Sequence, residues 1–132
     1  ARLDELAGYQ RLGFDANLLR HGLLECLLEA RRYGGLVAAY GSASAFGHLL
    51  SYCRLGPDTV AFLADPDASH DGGFVGGTRI PIRPAHTIVD TRPSHLLLLP
   101  WRQRDPLVAE LSFVRAWGAR FIVPLPRVEL FD

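Results

Sequence analysis

Three short stretches of this sequence carry side chains able to grip a small polar ligand. Tyr40-Gly41-Ser42-Ala43-Ser44 places a glycine and two hydroxyls just after an apolar run, where free backbone N–H groups at a helix start attract an anion. Asp65 lies 24 residues beyond Gly41, at the end of a second apolar run, the place where an acid meets ribose hydroxyls in dinucleotide-binding folds. Trp101-Arg102-Gln103-Arg104 sets an aromatic ring beside planar guanidiniums, which can stack a base or clamp a diphosphate. Each stretch also has a plainer reading. Small residues let a strand pack tightly on its helix, Asp65-Pro66-Asp67 makes a turn bonded from side chain to backbone, and Trp101 caps the core while the arginines face water.

Other chemistries find less support. The histidines His21, His48, His70, His86 and His95 are scattered, with neither an HxxxH nor an HExxH pair to hold a metal. His48 and His70 stand apart because both fall on or beside elements that face the strand ends, where a neutral imidazole binds phosphate or acts as a base. No GxSxG elbow accompanies Ser42 and Ser44, which disfavours a nucleophilic triad. All 14 basic residues are Arg, so a Schiff-base Lys, a P-loop Lys and a Lys general base are excluded. Cys26 and Cys53 provide neither a disulfide framework nor a CxxC zinc half-site.

The elements that must position these groups can be read from periodicity. Leu19, Leu23, Cys26, Leu27 and Ala30 recur at helical spacing and predict a long opening helix over 15–33, with Gly34-Gly35 beyond it. Residues 1–13 read either as a shorter helix or as the end of a linker. Leu36-Val37-Ala38-Ala39-Tyr40 is a strand buried on both faces, and a helix through Phe46, Leu49, Leu50 and Cys53 follows the small-residue turn. A second strand is expected over 59–64, a glycine-rich loop over 68–77 and a third, edge-like strand at Arg79-Ile80-Pro81-Ile82. Ile88 to Asp90 suit a turn of helix. His95-Leu96-Leu97-Leu98-Leu99 is a fourth strand, Asp105-Pro106 opens a helix with Asp as its N-cap that runs through Leu107, Leu111, Val114 and Trp117 until Gly118, and Arg120-Phe121-Ile122-Val123 is a fifth. Helices alternating with doubly apolar strands predict an α/β, Rossmann-like, doubly wound domain with a mostly parallel five-stranded sheet. Its ligand would sit outside the carboxyl ends of the strands.

Bulk properties set the outer limits. A chain of 132 residues suits a single domain, with 1–35 as helical lead-in and 36–132 as sheet and crossover helices. Basic and acidic residues balance at 14 each, which removes the field that drives nucleic-acid binding. The longest apolar stretches fall far short of the roughly 20 residues of a membrane span. With no signal peptide and few cysteines, the cytoplasm is the expected compartment. The absence of Met, position 1 included, leads us to expect a processed start or a domain of a longer chain.

Several blocks in register carry a resemblance: Val37-Ala38-Ala39-Tyr40-Gly41-Ser42, Leu49-Leu50-Ser51-Tyr52-Cys53, Gly77-Thr78-Arg79-Ile80-Pro81-Ile82, Leu96-Leu97-Leu98-Leu99-Pro100-Trp101 and Arg120-Phe121-Ile122-Val123-Pro124-Leu125-Pro126. Over about 36–127 the chain resembles the carboxyl-terminal domain of SAM-dependent sugar C-methyltransferases, enzymes that methylate a carbon of nucleotide-linked deoxy-sugars in natural-product biosynthesis. The resemblance implies a substrate-holding domain, with no cofactor of its own and with SAM bound by a separate domain, in cis or in trans. It carries ligand contacts over to Tyr40, Gly41, Asp65, Gly77, Thr78 and Trp101, beside which the residue reading sets Ser42, Ser44 and Arg102. Where that family has two Lys and an Asn, this chain has Ala45, His70 and Arg102. Two further readings follow: a stand-alone repurposed enzyme using His48 and His70 for acid–base work, and a noncatalytic interaction module docking through its first helix.

Overall fold

The computed structural model describes residues 16–32, 34–67, 72–125 and 127–132. The expectations for 1–13 and for His70 lie outside these residues. Helix α1, Ala16–Arg31, is 16 residues long and buries Leu19, Leu23 and Leu27 along one stripe. Its last helical residue is Arg31, where the prediction carried the helix to 33. The amides of Arg32 and Gly34 reach back only three residues, to Glu29 and Arg31, which tightens and closes the last turn.

Strand β1, Val37–Tyr40, is fully buried and is followed by α2, Ala43–Tyr52. Next come β2, Phe62–Asp65; β3, Ile82–Pro84; α3, Thr87–Thr91; and β4, His95–Leu98. A 3-10 turn, Trp101–Gln103, leads into α4, Arg104–Glu110, and a second, Ser112–Trp117, leads into β5, Arg120–Val123, before β6, Glu129–Phe131. The sheet has six strands in the order β3-β2-β1-β4-β5-β6, all pairs parallel except β5–β6.

Alternation along the central strands divides the core into two layers. Val37 and Ala39 of β1 join α1 and α2 on one face, while Ala38 and Tyr40 join Ile88, Leu107 and Val114 on the other. Helices and turns thus cover both faces, the arrangement that lets a parallel strand be apolar throughout.

Further expectations about these elements are corrected. The sheet has six strands, not five: Phe131 of β6 stacks on Phe121 with centroids 5.6 Å apart, and Arg104 donates to Glu129 at 3.1 Å while lying 3.9 Å from the Phe131 ring centroid. That hydrogen bond holds the Glu129 carboxyl below its ordinary range. Strand β2 starts at Phe62 because Thr59 closes a turn on the Gly56 backbone. Strand β3 begins at Ile82, since Thr78 Oγ1 takes the Ile80 amide and bends the chain before it. Another correction concerns α4, whose cap is Gln103 rather than Asp105 and which stops at Glu110. The chain already turns helically from Trp101, so Asp105 falls in the first turn, where its charge still suits the helix dipole.

Residues 72–75, expected as part of a loop, lie along the outer edge of β3. Ile82 donates to Gly73 O at 2.9 Å, Val75 to Ile80 O at 2.9 Å, and Phe74 bridges Pro81 antiparallel. The exposed edge is thereby bonded to the chain's own backbone.

At the amino ends of the strands, Ser94 ties β4 to the entry of β1. Leu36 N–H donates to Ser94 Oγ at 3.0 Å and Ser94 Oγ donates to Leu36 O at 3.0 Å. With that hydrogen committed, the 2.8 Å contact between Ser94 Oγ and His95 Nδ1 requires the ring to donate. Burial, aided by the Arg120 charge, pushes the His95 imidazole below its ordinary value of 6.5. The unfolded chain therefore takes up the proton first, and the stability present above pH 6.5 is lost as pH falls through 6.5 toward the folded value. Urea midpoints measured at pH 8 and pH 5.5 are expected to fall further for the native chain than for His95→Asn. Equal falls would remove His95 from the acid response.

Candidate ligand site at the carboxyl ends of the strands

Parallel register brings Tyr40 opposite both Ala64 and Leu98, so the ends of β1, β2 and β4 finish at one rim. The chain order reverses between β1 and β4, and the two turns that leave those strands touch. Gly41 has φ 151, and a Cβ there would sit 3.1 Å from Leu99 Cβ and 3.3 Å from Pro100 Cδ. At that φ a side chain would be strained, and at that spacing it would press on both neighbours.

Ser42 caps α2 in extended conformation, its Oγ accepting from Ala45 N–H at 3.4 Å and lying 2.9 Å from Ser44 Oγ. Asp65 is 2% exposed. Its Oδ2 accepts from Ala43 N–H at 2.9 Å, across from the end of β2 to the first turn of α2, and its Oδ1 accepts from Asp67 N–H at 2.8 Å. One carboxylate thus forms the turn expected of Asp-Pro-Asp and also a bond between elements. Gly41 N–H, meanwhile, is taken by Ala64 O at 3.1 Å and Phe46 N–H by Ser42 O at 2.9 Å.

Tyr40 is 7% exposed. Burial, with the charges of Glu110 and Asp65, raises the pKa of its phenol, so the hydroxyl keeps its proton. Trp101 is half-buried and packs against both hydrophobic layers, with the exposed Arg102 guanidinium 4.9 Å from its ring centroid. The arrangement at the rim offers hydroxyl groups on the α2 side and an aromatic face with a cation on the β4 side.

The structure brings Tyr40, Gly41, Ser42, Ser44, Asp65, Trp101 and Arg102 to this rim. Gly77 and Thr78 lie elsewhere. A Cβ on Gly77, which has φ 76, would collide with the Ser51 hydroxyl in the last turn of α2, and Thr78 Oγ1 closes its own loop onto Val75 O at 2.9 Å. His48 is half-buried one turn further into α2 than the capping region, about 7.5 Å along the axis from Ala43. Sequence reasoning passed over a groove of about 440 Å³ at the opposite, amino-end rim, lined by Cys26, Glu29, Ser94, His95, Arg120 and Leu130. Its residues come from α1, β4, β5 and β6, and no local pattern joins them. Among the described residues, no cluster of three or more His, Cys, Asp or Glu is placed to hold a metal, and no helix is long and apolar enough to cross a membrane.

A family model described as the C-methyltransferase C-terminal domain matches residues 1–126. The chain belongs to this family. It is also similar to the C-methyltransferase NovU of Streptomyces niveus, 32% identical over 93 residues, which is 70% of this chain and 22% of that protein. The C-methyltransferase C-terminal domain described here therefore spans about a fifth of the curated relative it matches. A likeness to C-methyltransferases, expected from the blocks around Tyr40, Gly77, Trp101 and Phe121, is now carried by the whole matched length.

Proposed function

We propose that this C-methyltransferase C-terminal domain is the substrate-holding part of a SAM-dependent enzyme that methylates a nucleotide-linked deoxy-sugar or a related natural-product intermediate. The strand order β3-β2-β1-β4-β5-β6 supports reading the domain as Rossmann-like, and such sheets hold ligands where the order reverses. The observation that carries the proposal is the meeting of the Gly41 turn with the Trp101 turn at that reversal, in a chain of this family. Trp101 and Arg102 would receive the base and diphosphate, and Ser42 and Ser44 the hydroxyls. SAM would be held by another domain, in cis or in trans, and the cytoplasm remains the compartment we favour.

Calorimetry tests this directly. The 132-residue chain is expected to bind uridine or thymidine diphosphate and to give no heat with SAM. Trp101→Ala should weaken the nucleoside diphosphate by about ten-fold or more, since stacking a base on an aromatic ring contributes roughly 1–3 kcal/mol. Tight SAM binding with no response to nucleotide would overturn the proposal.

A further inference from the structure

The first turn of α2 would ordinarily be the anion-binding corner of this rim, because a helix start offers free N–H groups and a positive dipole end. Here the corner already holds an anion. Asp65, 2% exposed, sends Oδ2 to the Ala43 amide at 2.9 Å, while Ser42 Oγ takes the Ala45 amide and the Gly41 and Phe46 amides bond to backbone oxygens. A phosphate placed there would have to displace a buried carboxylate from its amide or lie against its negative charge. The helix start carries no basic residue in its first turn to offset this; the residues there are Ala43, Ser44, Ala45 and Phe46. The other side of the rim differs, because Arg102 is exposed beside Trp101 and presents a planar donor array suited to phosphate oxygens.

We propose that Asp65 is a specificity-determining residue that seals the amino end of α2 against phosphate, so that a phosphorylated ligand at this rim takes its anionic contact from Arg102. Assigning Arg102 to a diphosphate rests on the substrate-holding reading above; the seal at Asp65 does not. The consequence is a polarity along the rim. Hydroxyl-bearing parts of a ligand meet the Ser42–Ser44 pair, and its charged part lies toward β4.

Amide NMR of the 132-residue chain, titrated separately with inorganic pyrophosphate and with uridine diphosphate, locates the contact. In the native chain, uridine diphosphate should move the Trp101 indole and Arg102 signals, and pyrophosphate should leave the Ala43 to Phe46 amides in place. Arg102→Gln should weaken uridine diphosphate by ten-fold or more and leave uridine unchanged. Asp65→Asn keeps an acceptor for one amide and removes the charge, so pyrophosphate should now shift the Ala43 amide. Shifts at Ala43 to Ala45 in the native chain with pyrophosphate would overturn the seal, and so would an Asp65→Asn chain, folded by its amide dispersion, that stays silent to pyrophosphate. Should Asp65→Asn not fold, the pyrophosphate titration of the native chain decides alone, silence at Ala43 to Ala45 supporting the seal. A native chain that ignores uridine diphosphate altogether defeats the substrate-holding reading and the role of Arg102, while the pyrophosphate arm still decides Asp65.

Discussion

Asp65→Ala is expected to cost about 3–5 kcal/mol of unfolding free energy, because two charge-assisted hydrogen bonds, worth roughly 1.5–3 kcal/mol each, disappear together. The carboxylate joins the end of β2 to the first turn of α2 through Ala43 and closes the turn at Asp67. Alanine leaves both amides without that acceptor in a site 2% exposed, where water replaces it poorly. Domains of this size are stable by only about 5–15 kcal/mol, so the substitution consumes a large share of the total. Urea unfolding monitored by circular dichroism would measure it, with the midpoint lowered and the slope unchanged. A loss below about 1 kcal/mol would mean that the rim does not depend on this bond.

Phe121→Ala is expected to cost a similar amount, about 3–5 kcal/mol, the usual result of removing a buried aromatic side chain and leaving a cavity. Phe121 is fully buried, with the Phe131 ring stacked 5.6 Å away and the Arg115 guanidinium 5.5 Å from its centroid. The antiparallel strand β6 is only three residues long, and its one ring faces Phe121 across the pair. Its amides should therefore lose protection from hydrogen exchange along with global stability. Phe131→Ala, at a half-buried position, should release β6 at a smaller global cost. Retained protection at Glu129 to Phe131 in Phe121→Ala would show that the strand is held without this ring, by the ion pairs at Glu129 and Asp132.

What could be read in the sequence depended on whether the cause was local. The segments around Val37 and Leu96 are apolar at every position because parallel strands covered on both faces need nothing else, and they appear as strands β1 and β4. Strand β6 has one acid among its three residues and gains its reason to pair from residues outside it, Phe121 and Arg104 among them, so no window around Glu129 reveals it. Asp65 could be placed at a strand end from its spacing alone. That its oxygen reaches the Ala43 amide, 22 residues away, is a product of the β1–β2 register. Gly77 was legible as a loop glycine, whereas the closeness of the Ser51 hydroxyl, contributed by a different element, was not.

The two tryptophans of the domain sit at opposite ends of its sheet. Trp117 is anchored near the amino ends, its Nε1 donating to Pro93 O at 2.9 Å, while Trp101 rests at the carboxyl rim against both hydrophobic layers. With Trp117 replaced by Phe, the domain keeps one tryptophan, whose emission reports the rim. Because that indole touches the packing on both sides of the sheet, its anisotropy would also register a loosening of either layer, giving binding and core integrity separate optical signatures from one chromophore.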